Sequence, residues 1–211
     1  METVLFDCWG TLLRAPNLMR RGASAEFFHR SLIARGHEID FDAFRDAYIA
    51  VARRQHEEAR SDLRELDYVS RIDSTLHEIG FRHPDRARLA RKVWAEYLAE
   101  WPRQSELHEE APSLLRSLRG RYKLGLVTNF PDAPTAREAF RRFGFNEAFD
   151  SLVVSAEVGY RKPNRVIFER ALMELGSAPA SSVMVGDTFE ADIRGAKSLG
   201  MKAILIDADG G

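Results

Sequence analysis

A chain of 211 residues, 45% of them apolar and 30% charged, can build one sizeable core or a core domain with a smaller module. Its formal net charge of −1 supplies no field favouring nucleic acid or a membrane surface, and no apolar run approaches the length that crosses a bilayer. The single cysteine, Cys8, excludes an intramolecular disulfide framework and an all-cysteine zinc site. The first strand begins by Thr3 with no basic or apolar leader, so a cytoplasmic protein is expected.

The first element lies in Val4 to Leu13, Val-Leu-Phe-Asp-Cys-Trp-Gly-Thr-Leu-Leu, where an apolar strand (Thr3 to Phe6) stops at Asp7 and turns on Gly10. A carboxylate at the tip of a buried strand is costly unless something solvates it, which makes Asp7 the first candidate for chemistry. The plainer alternative is an aspartate that accepts hydrogen bonds from the backbone of its own turn.

The next strand, Lys123 to Thr128, lies more than a hundred residues further on, whereas a strand-helix-strand crossover needs about thirty. The intervening chain is therefore an insertion. From Ser24 to about Trp101 its apolar residues recur at helical spacing: Phe28, Leu32 and Ile33, then Phe41, Phe44, Tyr48 and Val51, then Val69, Ile72, Leu76 and Ile79, then Leu89, Val93, Trp94 and Tyr97. Gly36, Gly80 and His83-Pro84 punctuate them, which predicts four helices, with Asn17 to Ala23 as a flexible hinge. The expected division is a core of residues 1–14 and 103–211 and a helical domain of residues 15–102.

Strands at Ser151 to Ser155, Ser182 to Gly186 and Lys202 to Asp207 follow, separated by helical stripes. The stripes are Leu114, Leu115 and Leu118; Ala136, Ala139, Phe140 and Phe143; and Ile167, Phe168, Ala171, Leu172 and Leu175. Most strands are nearly continuous Val, Leu and Ile, which predicts burial on both faces and hence a parallel sheet. Gly144, Gly176 and Gly200 stand where left-handed helix ends are needed. The whole predicts a doubly wound, Rossmann-like α/β domain with a five-stranded parallel sheet. Such sheets bind ligands beyond the carboxyl ends of their strands, the rim where Asp7, Thr128, Asn129, Lys162 and Asp187 converge.

Four segments along this rim resemble, in order, the signatures of the haloacid dehalogenase-like (HAD) hydrolases. They are Phe-Asp-x-x-Gly-Thr-Leu at Asp7, Leu-Gly-Leu-Val-Thr-Asn ending at Thr128-Asn129, Ser155 to Phe168 with Gly159, Lys162, Pro163 and Ile167-Phe168, and Val183 to Ala196 with Gly186-Asp187 and Asp192. The resemblance implies that Asp7 is the nucleophile, that the Thr128 hydroxyl and neighbouring backbone N–H groups, Asn129 included, hold a phosphoryl group, and that Lys162 stabilises its charge. It also implies that Mg2+ is held by Asp7, the Trp9 carbonyl and Asp187, with Asp192 supporting the site, and that the helical insertion is a cap over it. Physically, facing carboxylates repel unless a cation joins them, and a hard divalent ion suits oxygen ligands. Pro163 is expected to open a helix with Lys162 at its start, a poor place for a cation unless anions lie close. Asp187 alone as the cap of the following helix is the rival role, and the two roles are compatible.

Trp9 departs from the pattern. Most phosphatases of the family carry there an aspartate that protonates the leaving oxygen, help worth about a hundred- to ten-thousand-fold in rate. In the 2-haloacid dehalogenases the place is commonly aromatic and no metal is needed, but those enzymes usually lack the Gly-Asp pair present at Gly186-Asp187. The expected function is Mg2+-dependent hydrolysis of a small phosphate ester or anhydride, so the expected partner is a small phosphorylated molecule rather than nucleic acid or membrane. A 2-haloacid dehalogenase and a non-catalytic binding module are the alternatives. Phosphonate cleavage through a Schiff base is set aside, because its only lysine in the insertion, Lys92, lies late. Cys8, between Asp7 and Trp9 with no histidine near in sequence, is expected to be a buried thiol, and the six histidines mostly surface residues.

Overall fold

The computed structural model describes residues 1–207. In chain order, β1 (Thr3–Phe6) and β2 (Leu13–Arg14) precede the helices α1 (Pro16–Met19), α2 (Ala23–Ile33), α3 (Phe41–Glu58), α4 (Tyr68–Glu78) and α5 (Arg86–Gln104). Then come β3 (Glu106–Leu107), α6 (Ala111–Leu118), β4 (Lys123–Thr128), α7 (Ala133–Arg142), α8 (Phe145–Ala148), β5 (Ser151–Val154), α9 (Ser155–Val158) and α10 (Arg165–Glu174). After β6 (Ser182–Gly186), a π-helical turn (Phe189–Arg194) leads through α11 (Gly195–Ser198) to β7 (Lys202–Leu205).

The chain divides into two compact units. The first holds Met1–Ala15, Asp62–Glu65 and the chain from Ser105 onward. Its five-stranded sheet has the order β5-β4-β1-β6-β7, with every neighbouring pair parallel. This is the doubly wound α/β arrangement expected from the strand composition. Leu5, Val127, Val153 and Met184 share one buried cluster with Ile167, Phe168, Ala171, Leu172 and Leu175 of the α10 segment. Burying side chains of this size is worth roughly 1.5–3 kcal/mol each. Gly125 gives that packing its depth: a Cβ there would stand 2.6 Å from Leu5 Cδ2 and 2.9 Å from Leu175 Cδ1. β7 departs from the two-sided burial predicted for the strands, because it is a sheet edge and leaves Ile204 and Leu205 exposed. Leu114 likewise faces outward, while Leu115 carries the buried side of α6. Gly144, Gly176 and Gly200 all adopt positive φ directly after their helices, as expected.

The second unit holds Pro16–Ser61 and Leu66–Gln104. Its four long helices follow the predicted stripes, and Phe28, Phe44, Tyr48 and Tyr97 are buried between them. The side chains of Asp40 and Asp67 cap α3 and α4 by accepting from Ala43 N and Ser70 N. The stretch expected to be a hinge, residues 17–23, contains most of α1 and the left-handed Gly22 (φ 86°) that starts α2. The insertion expected to run unbroken over residues 15–102 gives Asp62–Glu65 to the first unit, and α5 runs through Pro102 to Gln104.

Candidate active site

Asp7 follows β1 and is held in line with the sheet by its N–H, which donates to Val185 O at 2.9 Å. The chain then wraps tightly, with the N–H groups of Leu12 and Leu13 both donating to Cys8 O. Gly10 (φ 94°) makes that wrap possible, since a Cβ there would stand 2.3 Å from Asp187 Oδ2. The N–H groups of Thr11, Leu12 and Leu13 are thus taken by Cys8 O, and that of Gly10 by Leu13 O, rather than by the Asp7 side chain.

The Asp7 carboxylate is only 6% exposed. Oδ1 receives Lys162 Nζ at 2.5 Å, and Oδ2 has the Thr11 hydroxyl at 3.5 Å. Lys162, 2% exposed, also donates to Val127 O at 2.7 Å and lies 2.7 Å from Asp192 Oδ1. It does not stand at a helix start. Asn164 caps α10 by accepting from Val166 N, which puts Pro163 before the cap, and Lys162 reaches inward from the loop. Asn129 holds that loop: its Nδ2 donates to Lys162 O and its Oδ1 accepts from Lys162 N, at 3.1 and 2.7 Å. Its side chain is therefore committed to placing Lys162. Thr128 ends β4 almost fully buried.

Asp192 sits on the π-helical turn, and its Oδ2 accepts from Thr188 N at 3.0 Å. The N–H at the head of the turn is thus taken by Asp192. Gly186 leaves room for the arrangement, since a Cβ there would lie 2.3 Å from Asp192 Oδ2. Asp187, half-buried, has the Thr188 hydroxyl at 3.5 Å.

One carboxylate oxygen from each of Asp7, Asp187 and Asp192 lies within 4.8 Å of the others. Three acids therefore face one lysine. Burial, together with Asp192 and Asp187, raises the Asp7 pKa to about 7 despite the opposing pull of Lys162. Burial and then Asp192 raise that of Asp187. Burial disfavours the charged Lys162, but Asp7 and Asp192 outweigh it and raise its pKa. The cluster is short of positive charge, and its all-oxygen donors fit a hard divalent cation such as Mg2+.

Trp9 takes no part in this cluster through its side chain. The ring is 8% exposed, stacks on Phe130 at 4.3 Å between centroids, and donates from Nε1 to Ser105 Oγ at 3.0 Å. Sequence reasoning missed what lies beside Phe130. Ser155 Oγ accepts from Phe130 N at 2.9 Å and donates to the Glu65 carboxylate, which the Asp62–Glu65 excursion brings into this unit. Cys8 is a buried thiol whose pKa burial pushes well up. His56 and His77 are exposed, whereas His29, His37, His83 and His108 are half-buried, fewer on the surface than expected.

Residues 1–200 match the haloacid dehalogenase-like hydrolase family. The chain belongs to that family. Among its relatives is a glyceraldehyde 3-phosphate phosphatase of Methanothermobacter thermautotrophicus, 44% identical over 90 residues, a match covering 42% of this chain and only 38% of that protein. A ribulose-1,5-bisphosphate 5-phosphatase of Halopiger xanaduensis is 29% identical over 209 residues, or 97% of this chain and 84% of that one. Among solved structures, a HAD phosphatase from Thermococcus onnurineus superimposes with a TM-score of 0.69 at 25% identity, covering 100% of this chain and 88% of the other. This HAD hydrolase has a five-stranded parallel sheet, and no helix among its described residues is long and apolar enough to cross a membrane.

Proposed function

We propose that this HAD hydrolase is a Mg2+-dependent phosphatase acting on a small phosphate ester or anhydride, with Asp7 as nucleophile. The observation that carries the reading is the cluster itself: a buried carboxylate at a strand tip, bound to a buried lysine and ringed by two further acids. Asp7 and Asp187, with the Trp9 carbonyl, would hold the ion, which when bound supplies positive charge against the phosphoryl oxygens. The phosphatase names of the relatives support the reaction class.

Lys162 orients the Asp7 oxygen and offsets charge on the phosphoryl group, with the Thr128 hydroxyl and the Asn129 N–H as further donors. An Asp7 oxygen forms a bond to phosphorus while the bond to the leaving oxygen breaks, giving an aspartyl-phosphate that water then hydrolyses. The Trp9 indole N–H is committed to Ser105 and far too weakly acidic to protonate the leaving oxygen, which departs as the anion or takes a proton from solvent. Substrates with acidic leaving groups are therefore favoured, and kcat/KM across a series of aryl and alkyl phosphates should fall steeply as leaving-group pKa rises.

The test is phosphate release from a broad panel of phosphorylated metabolites, with Mg2+ and with EDTA, for the wild type and Asp7→Asn. Turnover that needs both Mg2+ and Asp7 is expected, with a loss of at least about a thousandfold in the variant. Halide release from 2-haloacids that persists in EDTA would replace the phosphatase reading with a dehalogenase. The absence of any Asp7-dependent turnover on either panel would leave a binding module.

A further inference from the structure

Two loops on the rim of the first unit carry the groups assigned to the phosphoryl oxygens. Residues 128–130 follow β4, and residues 159–162 follow α9 and end in the buried Lys162. Asn129 joins the two through its pair of bonds to the Lys162 backbone. Donors of this kind act well only when they are already aimed, because ordering a loose loop at the moment of binding subtracts from the affinity.

Part of what aims them comes from inside the insertion. Within residues 16–104, only Asp62–Glu65 belongs to the first unit. Its backbone grips the lysine-bearing loop directly, with Leu63 O accepting from Arg161 N and Glu65 N donating to Gly159 O. It reaches the other loop through a side chain. The Glu65 carboxylate accepts from the Ser155 hydroxyl, and Ser155 Oγ in turn accepts from Phe130 N at 2.9 Å. Ser155 is fully buried, and its single proton has a second acceptor within reach, Phe130 O at 3.3 Å. An anionic oxygen is the stronger acceptor of the two. A hydroxyl that donates to an anion is itself polarised into a better acceptor, so Glu65 tightens the hold on Phe130 N. With the Phe130 ring stacked on Trp9 and the Asn129 side chain fastened to Lys162, this bond completes the fixing of the loop one residue beyond the N–H assigned to the phosphoryl group.

We propose that Glu65 is a positioning residue for phosphoryl binding, acting through Ser155 to hold residues 128–130 in place. The inference rests on the assignment of Thr128 and the Asn129 N–H as phosphoryl donors. The relay dictates which replacements work. Glutamine at position 65 keeps an acceptor for the Ser155 hydroxyl, whereas alanine leaves the hydroxyl to turn to Phe130 O.

The test measures kcat, KM and inhibition by inorganic phosphate, in Mg2+, for the wild type, Glu65→Ala, Glu65→Gln, Ser155→Ala and the double variant Glu65→Ala/Ser155→Ala. In Glu65→Ala, KM and the phosphate Ki should each rise roughly tenfold while kcat changes less. Glu65→Gln should stay within about threefold of the wild type. Ser155→Ala removes the acceptor of Phe130 N and should raise Ki at least as much as Glu65→Ala, and the double variant should go no further than Ser155→Ala. A role confined to folding would lower the active fraction, and with it kcat, but leave KM and Ki where they are. An unchanged Ki in Glu65→Ala or in Ser155→Ala, a Glu65→Gln variant as impaired as the alanine, or additive losses in the double variant would overturn the proposal. Should Ser155→Ala not fold, the two Glu65 variants decide alone. A titration of the 15N-labelled chain with inorganic phosphate, followed at the Phe130 amide, reads the same affinities without turnover. If the wild type shows no Asp7-dependent turnover, the phosphatase reading fails and this titration still decides the role of Glu65; if it turns over and the Glu65 variants bind phosphate as it does, only the role of Glu65 fails.

Discussion

At the scale of single residues, the site is governed by an imbalance of charge. Asp7 stands at about 7 instead of 3.8, chiefly because burial penalises its anion and two further acids repel it. An acid whose folded pKa is raised binds more protons in the folded state. Its stability advantage is full below the ordinary carboxylate range and is lost as pH climbs through about 7. Metal-free protein should therefore lose stability over that window relative to Asp7→Asn, by on the order of a few kcal/mol. Thermal melts in EDTA at pH 5 and pH 8 check the sign: the variant should gain several degrees over the wild type at the higher pH. Mg2+ should shrink that gain by stabilising only the wild type. A gap that does not change with pH would mean that Asp7 is already ionised and well paired. Trp9→Asp is a blunter probe than its sequence position suggests. The ring is buried against Phe130 and bonded to Ser105, so its removal is expected to cost about 3–5 kcal/mol before any catalytic gain can be read.

At the scale of elements, what was legible in the sequence depended on how many residues carried the signal. The five sheet strands are runs of four to six residues rich in Val, Leu and Ile, buried except at the β7 edge, and composition alone marked them to within two residues. The helices of the insertion were legible because each repeats its apolar stripe over several turns. β2 and β3 were not, because two residues cannot display alternation. The start of α10 was misplaced because Pro163 and Asn164 are both good openers, and only the hydrogen bond to Val166 N shows which one acts. Asp7, Lys162, Asp187 and Asp192 were legible through motif order, but the side-chain task of Asn129 was not. The π-helical turn also escaped, although its glycine neighbours were in plain view. Gly186 faces Asp192 so closely that a Cβ would meet its Oδ2, Cγ and Cβ at 2.3 to 2.6 Å, and the flexible end of the side chain alone cannot yield. Gly186→Ala should therefore displace Asp192 from Lys162, lowering stability by about 3 kcal/mol, as in other broken buried pairs, and abolishing most activity. Unfolding in urea and turnover measured on the same preparation check it. A variant with wild-type stability would show that the turn can shift as a body.

At the scale of the whole molecule, the notable fact is connectivity. An insertion leaves its host domain and returns, two passages in all, whereas this chain passes between its units four times because Asp62–Glu65 belongs to the first. The excursion is built into that unit by backbone bonds on either side of Tyr160: Glu65 N donates to Gly159 O at 3.0 Å and Arg161 N donates to Leu63 O at 2.9 Å. Side chains reinforce it, with Asn164 Nδ2 donating to Asp62 O at 2.7 Å and the Ser155 hydroxyl donating to Glu65. Leu63 adopts a positive φ of 56°, a conformation uncommon for a residue of its kind, which tertiary contacts of this sort can maintain. Native-state hydrogen exchange under increasing denaturant separates the two affiliations this segment could have, because amides that open together belong to one cooperative unit. The Glu65 amide should follow that of Arg161 and respond to denaturant as the amides of β5 do. If it instead opens with α3 and α4, the excursion is part of the helical unit in energy, whatever its contacts, and two passages suffice to describe the chain. If it opens with the sheet, any movement of the helical unit must take place around three anchored stretches of backbone rather than two, which shortens the segments free to act as hinges.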